Sequence, residues 1–107
     1  MTYAPNGETA SALPELPEGM RWVVAIDRRQ IAVILLENDR PVASAAETLE
    51  RDSELDYPHQ SVDVVEQVCR RLAAEVAHQW GFLRGLQQKL GAGVDVRMRI
   101  VDWNRQG

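Results

Sequence analysis

Six consecutive apolar residues, Ile31 to Leu36, constrain this chain more than any other feature. Gln30 and Glu37 bound the run, which is rich in β-branched side chains. Neighbouring residues of a strand point to opposite faces, so Ile31, Val33 and Leu35 share one side and Ala32, Ile34 and Leu36 the other. A strand apolar on both sides belongs at the centre of a sheet with cover above and below. The run is the longest apolar stretch in the chain, and it is too short to cross a bilayer.

The flanking sequence supplies the neighbours. Arg21 to Asp27 reads as a strand with Trp22, Val24 and Ile26 on one face and Val23 and Ala25 on the other. The polar break Asp27-Arg28-Arg29-Gln30 makes the two strands a hairpin, although its tip lacks the glycine that favoured hairpin turns use. Glu37 to Pro41 is a second turn, because Asn38 and Asp39 tolerate left-handed backbone. Val42 to Leu49 follows as an alanine-diluted third strand, and the proline before it suits an edge position.

Ser61 is a natural N-cap for a long helix from Val62 to Leu90, with Gly91 as its stop. Val62, Val65, Cys69, Leu72, Val76, Trp80, Leu83, Leu86 and Leu90 recur at three- and four-residue steps. At 1.5 Å per residue such a helix is roughly 43 Å long, more than a small sheet covers. Gly81 and Gly85 interrupt it, but the stripe keeps its phase, so a continuous helix with a projecting end is expected. Gly93 to Trp103 reads as a last strand. Val94, Val96, Met98 and Ile100 alternate with Asp95, Arg97 and Arg99, while Val101 and Trp103 fall on the arginine side.

The element order β-β-β-α-β gives an α+β fold, a sheet of about four strands packed on one long amphipathic helix, with residues 20–107 as a single domain. Residues 1–19 carry Pro5, Pro14, Pro17, Gly7 and Gly19 without apolar periodicity and read as a flexible tail. Within it, Leu13-Pro14-Glu15-Leu16-Pro17 is a candidate for docking on a partner in extended form. One cysteine, Cys69, makes no internal disulfide, and there is no secretory signal, so the expected compartment is the cytoplasm. Lys89 is the only lysine beside eleven arginines, which fits a GC-rich bacterial or phage source.

The net charge of −4 argues against a general nucleic-acid binder. Much of the acidity lies in Glu47, Glu50, Asp52, Glu54 and Asp56, a loop suited to steering a basic protein partner. His59, Cys69 and His78 do not converge in sequence, so no metal and no cofactor is expected. Gly91-Ala92-Gly93 precedes a strand and offers no helix N-terminus to a phosphate. One constellation points to catalysis. Asp27 closes the first strand, Glu66 opens the helix and Asp102 closes the last strand. In element order alone, residues 20–103 resemble the first half of ribonuclease H-like folds, whose strand and helix carboxylates gather metal ions for phosphodiester cleavage. That resemblance implies a metal-dependent nuclease built on Asp27, Glu66 and Asp102.

The leading reading is a non-enzymatic interaction module: an inhibitor, immunity, regulatory or assembly factor. One helix covers one face of a sheet, so Val23, Val101 and Trp103 would leave an apolar flank on the other, and Gly81 and Gly85 mark the projecting helix end. Homodimerisation is the simplest way to cover such surfaces. The nuclease is the alternative.

Overall fold

The computed structural model describes residues 13–49 and 56–100. Three strands, β1 (Met20–Ile26), β2 (Gln30–Glu37) and β3 (Arg40–Thr48), form an antiparallel meander in the order β1-β2-β3. A short 3₁₀ turn, Tyr57–His59, leads into one helix, α1 (Val62–Leu90). The architecture is α+β, and the strand with two apolar faces is central.

Each hairpin turn has its own cause. In the first, the Asp27 carboxylate accepts hydrogen bonds from the backbone N–H groups of Arg29 (2.8 Å) and Gln30 (2.7 Å). A side chain thus replaces the left-handed residues that a glycine-containing turn would use. In the second, Asn38 and Asp39 both take positive φ, 52° and 67°, which matches the right-handed twist of the flanking strands. Gly19 sits beside that turn at φ 87°, and its carbonyl accepts from the Asn38 N–H at 2.8 Å. A Cβ at residue 19 would stand 3.1 Å from the Asn38 side-chain oxygen, so both space and backbone require glycine there.

Helix α1 runs unbroken through Gly81 and Gly85. The Ser61 hydroxyl accepts from the Val64 N–H and caps it, and the Gly91 N–H closes its far end on the Gln87 carbonyl. It packs on β2 and β3. Leu72, Ala73 and Val76 meet Ile31, Val33, Leu35, Ala43 and Ala45 in one core, with Tyr57 buried at its edge. The expected helical stripe is therefore core only in its middle. At its ends, Val62 and Leu90 are 81% and 55% exposed.

Three features depart from the sequence reading. Residues 13–19, read as part of a tail, reach the domain: Leu13 and Leu16 pack on the core, and the Trp22 indole N–H donates to the Pro14 carbonyl at 2.8 Å. The second departure is the last strand, expected over Gly93 to Trp103, of which residues 93–100 are described. Val96, Met98 and Ile100 are half-buried and Asp95, Arg97 and Arg99 exposed, so the alternation holds from Asp95 onward, but Val94 is 40% exposed and no strand forms among the described residues. Among the described residues one backbone hydrogen bond joins the segment to β3, from the Met98 N–H to the Val42 carbonyl at 3.4 Å. The physical reasons lie in its neighbours. Pro41 has no N–H to offer, an irregularity between Leu35 and Leu36 shifts the β2–β3 register there, and the Gln87 amide claims the Val94 carbonyl at 2.7 Å.

The third departure is the face opposite the helix, expected to be an open apolar flank. At its centre Ala32 is fully buried, Ile34 is 3% exposed and Ser44 is buried. Val23, which pairs with Ile34 on that face, is half-buried, and Val101 and Trp103 lie outside the described residues.

Candidate functional site

The exposed apolar surface lies on the helix side of the sheet, beside β1. Because α1 covers β2 and β3, the β1 side chains on that face depend on other cover. Trp22 has the 13–16 segment against it, its indole N–H on the Pro14 carbonyl, whereas Val24 and Ile26 are exposed. Past Ile26, a groove of about 440 Å³ runs between β1 and the first turns of the helix, lined by Ile26, Tyr57, Pro58, Val62, Val65 and Glu66.

The backbone of β1 is open along the same side. Odd-numbered residues of β1 bond to β2, as the Asp27 N–H to the Gln30 carbonyl and the Asn38 N–H to the Gly19 carbonyl fix at the two ends. Trp22, Val24 and Ile26 therefore direct their N–H and C=O groups away from the sheet. Among the described residues no backbone group pairs with them. The sequence MRWVVAI contains no proline and a single charge. The opposite edge differs: β3 opens on Arg40-Pro41, and Met98 lies against it.

A second apolar area lies at the end of α1, where Phe82, Leu86 and Leu90 are exposed at helical spacing. Next to it, a cleft of about 370 Å³ is lined by Glu37, Arg40, Trp80, Arg84, Asp95 and Arg97, among others. Arg84 stacks over the Trp80 ring at 5.4 Å, and Arg97 grips Asp95 through two nitrogens. That grip holds the Asp95 carboxyl below its ordinary range and raises Arg97. Gly81 and Gly85 face open space.

Two of the five acidic-loop carboxylates are neutralised internally. Asp56 accepts from Arg28 (2.8 Å) and Arg29 (3.0 Å), and these bonds hold its carboxyl below the usual value, Arg29 contributing more than Arg28. Glu47 accepts from the Arg71 guanidinium and, at 3.1 Å, from the Tyr57 hydroxyl. Burial first, and the Glu47 carboxylate second, push the Tyr57 hydroxyl up to about 12. Glu50, Asp52 and Glu54 lie outside the described residues.

Of the three carboxylates implied by the nuclease resemblance, Asp27 holds the first hairpin turn, Glu66 pairs with Arg70 at 3.7 Å, and Asp102 lies outside the described residues. Among the described residues no group of three or more His, Cys, Asp or Glu side chains is placed to hold a metal ion. Cys69 is half-buried against the core, and burial pushes its thiol up, away from the reactive thiolate. His59 and His78 are exposed at separate places, on the 3₁₀ turn and on the helix.

Sequence reasoning placed Trp22, Val24 and Ile26 correctly on one face but assigned the open surface to the other. The missed signal is the absence of charge and proline from Trp22 to Ile26, which leaves that strand undefended as an edge. No described helix is long and apolar enough to cross a membrane. No protein family, no characterised protein and no solved structure matches this chain.

Proposed function

We propose that the chain is a protein-interaction module without catalytic activity, and that it works through the outer side of β1 and the groove beside it. One observation carries this reading. Ile26 and Val62, 48% and 81% exposed, flank an apolar groove that nothing among the described residues fills. Contiguous apolar surface of this kind marks sites that are covered in a complex. Asp27 holds a turn, Glu66 forms a surface ion pair and Asp56 is gripped by internal arginines, which gives these three carboxylates structural work. The charge of Glu50, Asp52 and Glu54 suits attraction of a basic partner surface, a contribution to encounter rate more than to affinity. Inhibitors, immunity proteins and assembly factors all act in this way.

Light scattering across a concentration series, with capture of partners on the immobilised chain, tests the reading. Association is expected, and Ile26→Lys is expected to abolish it while the far-UV spectrum stays unchanged. A strict monomer at several hundred micromolar that captures no partner refutes it.

A further inference from the structure

We infer that β1 is a self-complementary edge, and that two copies of the chain join it antiparallel about Val24 into one six-stranded sheet. The inference rests on the interaction-module reading and names its partner and its geometry. The starting point is the contrast between the two edges. β3 is blunted by Pro41, by the register irregularity and by Met98. β1 has none of these devices, although an unprotected apolar edge is a template for another strand.

Parity and charge select the partner and the register. Trp22, Val24 and Ile26 carry the outward N–H and C=O groups, so an added antiparallel strand has to align with these three residues. Setting Val24 opposite the partner's Val24 places Trp22 opposite the partner's Ile26, and Ile26 opposite the partner's Trp22. All three outward N–H and all three outward C=O groups of each protomer are then paired. A shift by two residues leaves one end unmatched, and a shift by one opposes the wrong backbone groups. The same alignment sets Arg21 opposite the partner's Asp27. Arg21 is the only charge within β1, and among the described residues it forms a weak, exposed ion pair to Asp39 at 3.5 Å. The contact is isologous, with the two-fold axis perpendicular to the sheet, so both helices lie on the same side.

The space fits. With each helix over β2 and β3, the two axes stand about four strand spacings apart, roughly 19 Å, against a helix diameter of about 10–12 Å. The gap lies over the paired β1 strands, where Trp22, Val24 and Ile26 of both copies point. It joins the groove past Ile26, and the partner's Trp22 stands beside the mouth of that groove.

The test uses the full chain. Val24→Pro removes an outward N–H that the protomer does not use, and a proline with its N–H side facing solvent is tolerated on an edge strand. It is expected to leave the circular dichroism spectrum unchanged and to weaken dimerisation on the order of ten-fold or more, through the two central hydrogen bonds lost. Val24→Cys in a Cys69→Ala background is expected to form a disulfide-linked dimer with oxidised glutathione, and Phe82→Cys in the same background is not. The cysteine pair decides the matter even if Val24→Pro does not fold. A dimer unaffected by a folded Val24→Pro, or linked through Phe82→Cys and not Val24→Cys, overturns pairing at β1 and leaves the interaction-module reading standing. A chain that stays monomeric also overturns it, and the broader reading then turns on partner capture and its sensitivity to Ile26→Lys.

Discussion

Tyr57 offers the sharpest check on how the core edge is held. Its ring is 2% exposed, and its hydroxyl donates to Glu47 at 3.1 Å. Tyr57→Phe keeps the ring and removes the donor. A hydrogen bond to a charged acceptor contributes about 1.5–3 kcal/mol when both groups are buried. Glu47 is one-third exposed and keeps Arg71, so the expected loss at pH 8 is about 1 kcal/mol. At alkaline pH the sign reverses. The folded hydroxyl titrates at about 12 instead of the ordinary 10.0. Between those values the unfolded chain gives up a proton that the native state retains. Wild-type stability therefore falls with rising pH, by at most about 1.4 kcal/mol per pH unit and on the order of 2–3 kcal/mol in all. The phenylalanine variant has no such proton. The two stability curves, measured by urea unfolding from pH 8 to 12, are expected to cross, with the variant the more stable above about pH 11. Parallel curves across that range would refute the argument that the hydroxyl is desolvated beside a carboxylate.

Three further outcomes follow from the same packing. Gly81→Ala and Gly85→Ala each place a methyl in open space on α1, so each is expected to stabilise by about 0.5–1 kcal/mol, read as a raised thermal midpoint. Leu72→Ala, at a position 2% exposed, is expected to cost about 2–5 kcal/mol in urea unfolding, whereas Leu90→Ala, on the overhanging helix end, is expected to stay within about 0.5 kcal/mol. Asp27→Ala removes both turn bonds and is expected to destabilise by about 1 kcal/mol. Asp27→Asn keeps an acceptor oxygen and is expected to recover most of that in the same assay.

The central strand and the helix were legible because each has a period. Two-sided burial of Ile31 to Leu35 and the three- and four-residue steps of Leu72, Val76 and Leu83 translate directly into the core. Residues 94–100 misled because alternation records which side chains face inward and says nothing of whether a neighbour can supply the ladder. Pro41 and Gln87 decide that, and they are distant in sequence. The exposed flank beside β1 was not legible for a related reason. One helix need not cover a face evenly: α1 is offset onto β2 and β3, which leaves Val24 and Ile26 of β1 exposed on the helix side. Leu13 and Leu16 were hidden among prolines whose backbone shows no period, and Trp22, which holds the Pro14 carbonyl between them, lies beyond the turn that precedes β1.

The first hairpin turn also acts as a clasp for a distant part of the chain. The Leu49 N–H donates to the Arg29 carbonyl and the Tyr57 N–H to the Arg28 carbonyl, while both arginine side chains grip Asp56. Each end of the intervening stretch, residues 50–55, is thus fastened to the same pair of residues. Closing a longer excursion between fixed ends costs little, about 0.6 kcal/mol for each doubling of its length. Lengthening the chain between Leu49 and Asp56 therefore costs little in closure entropy. The same two arginines thereby tie the β1–β2 turn, the end of β3 and the approach to the helix into one corner.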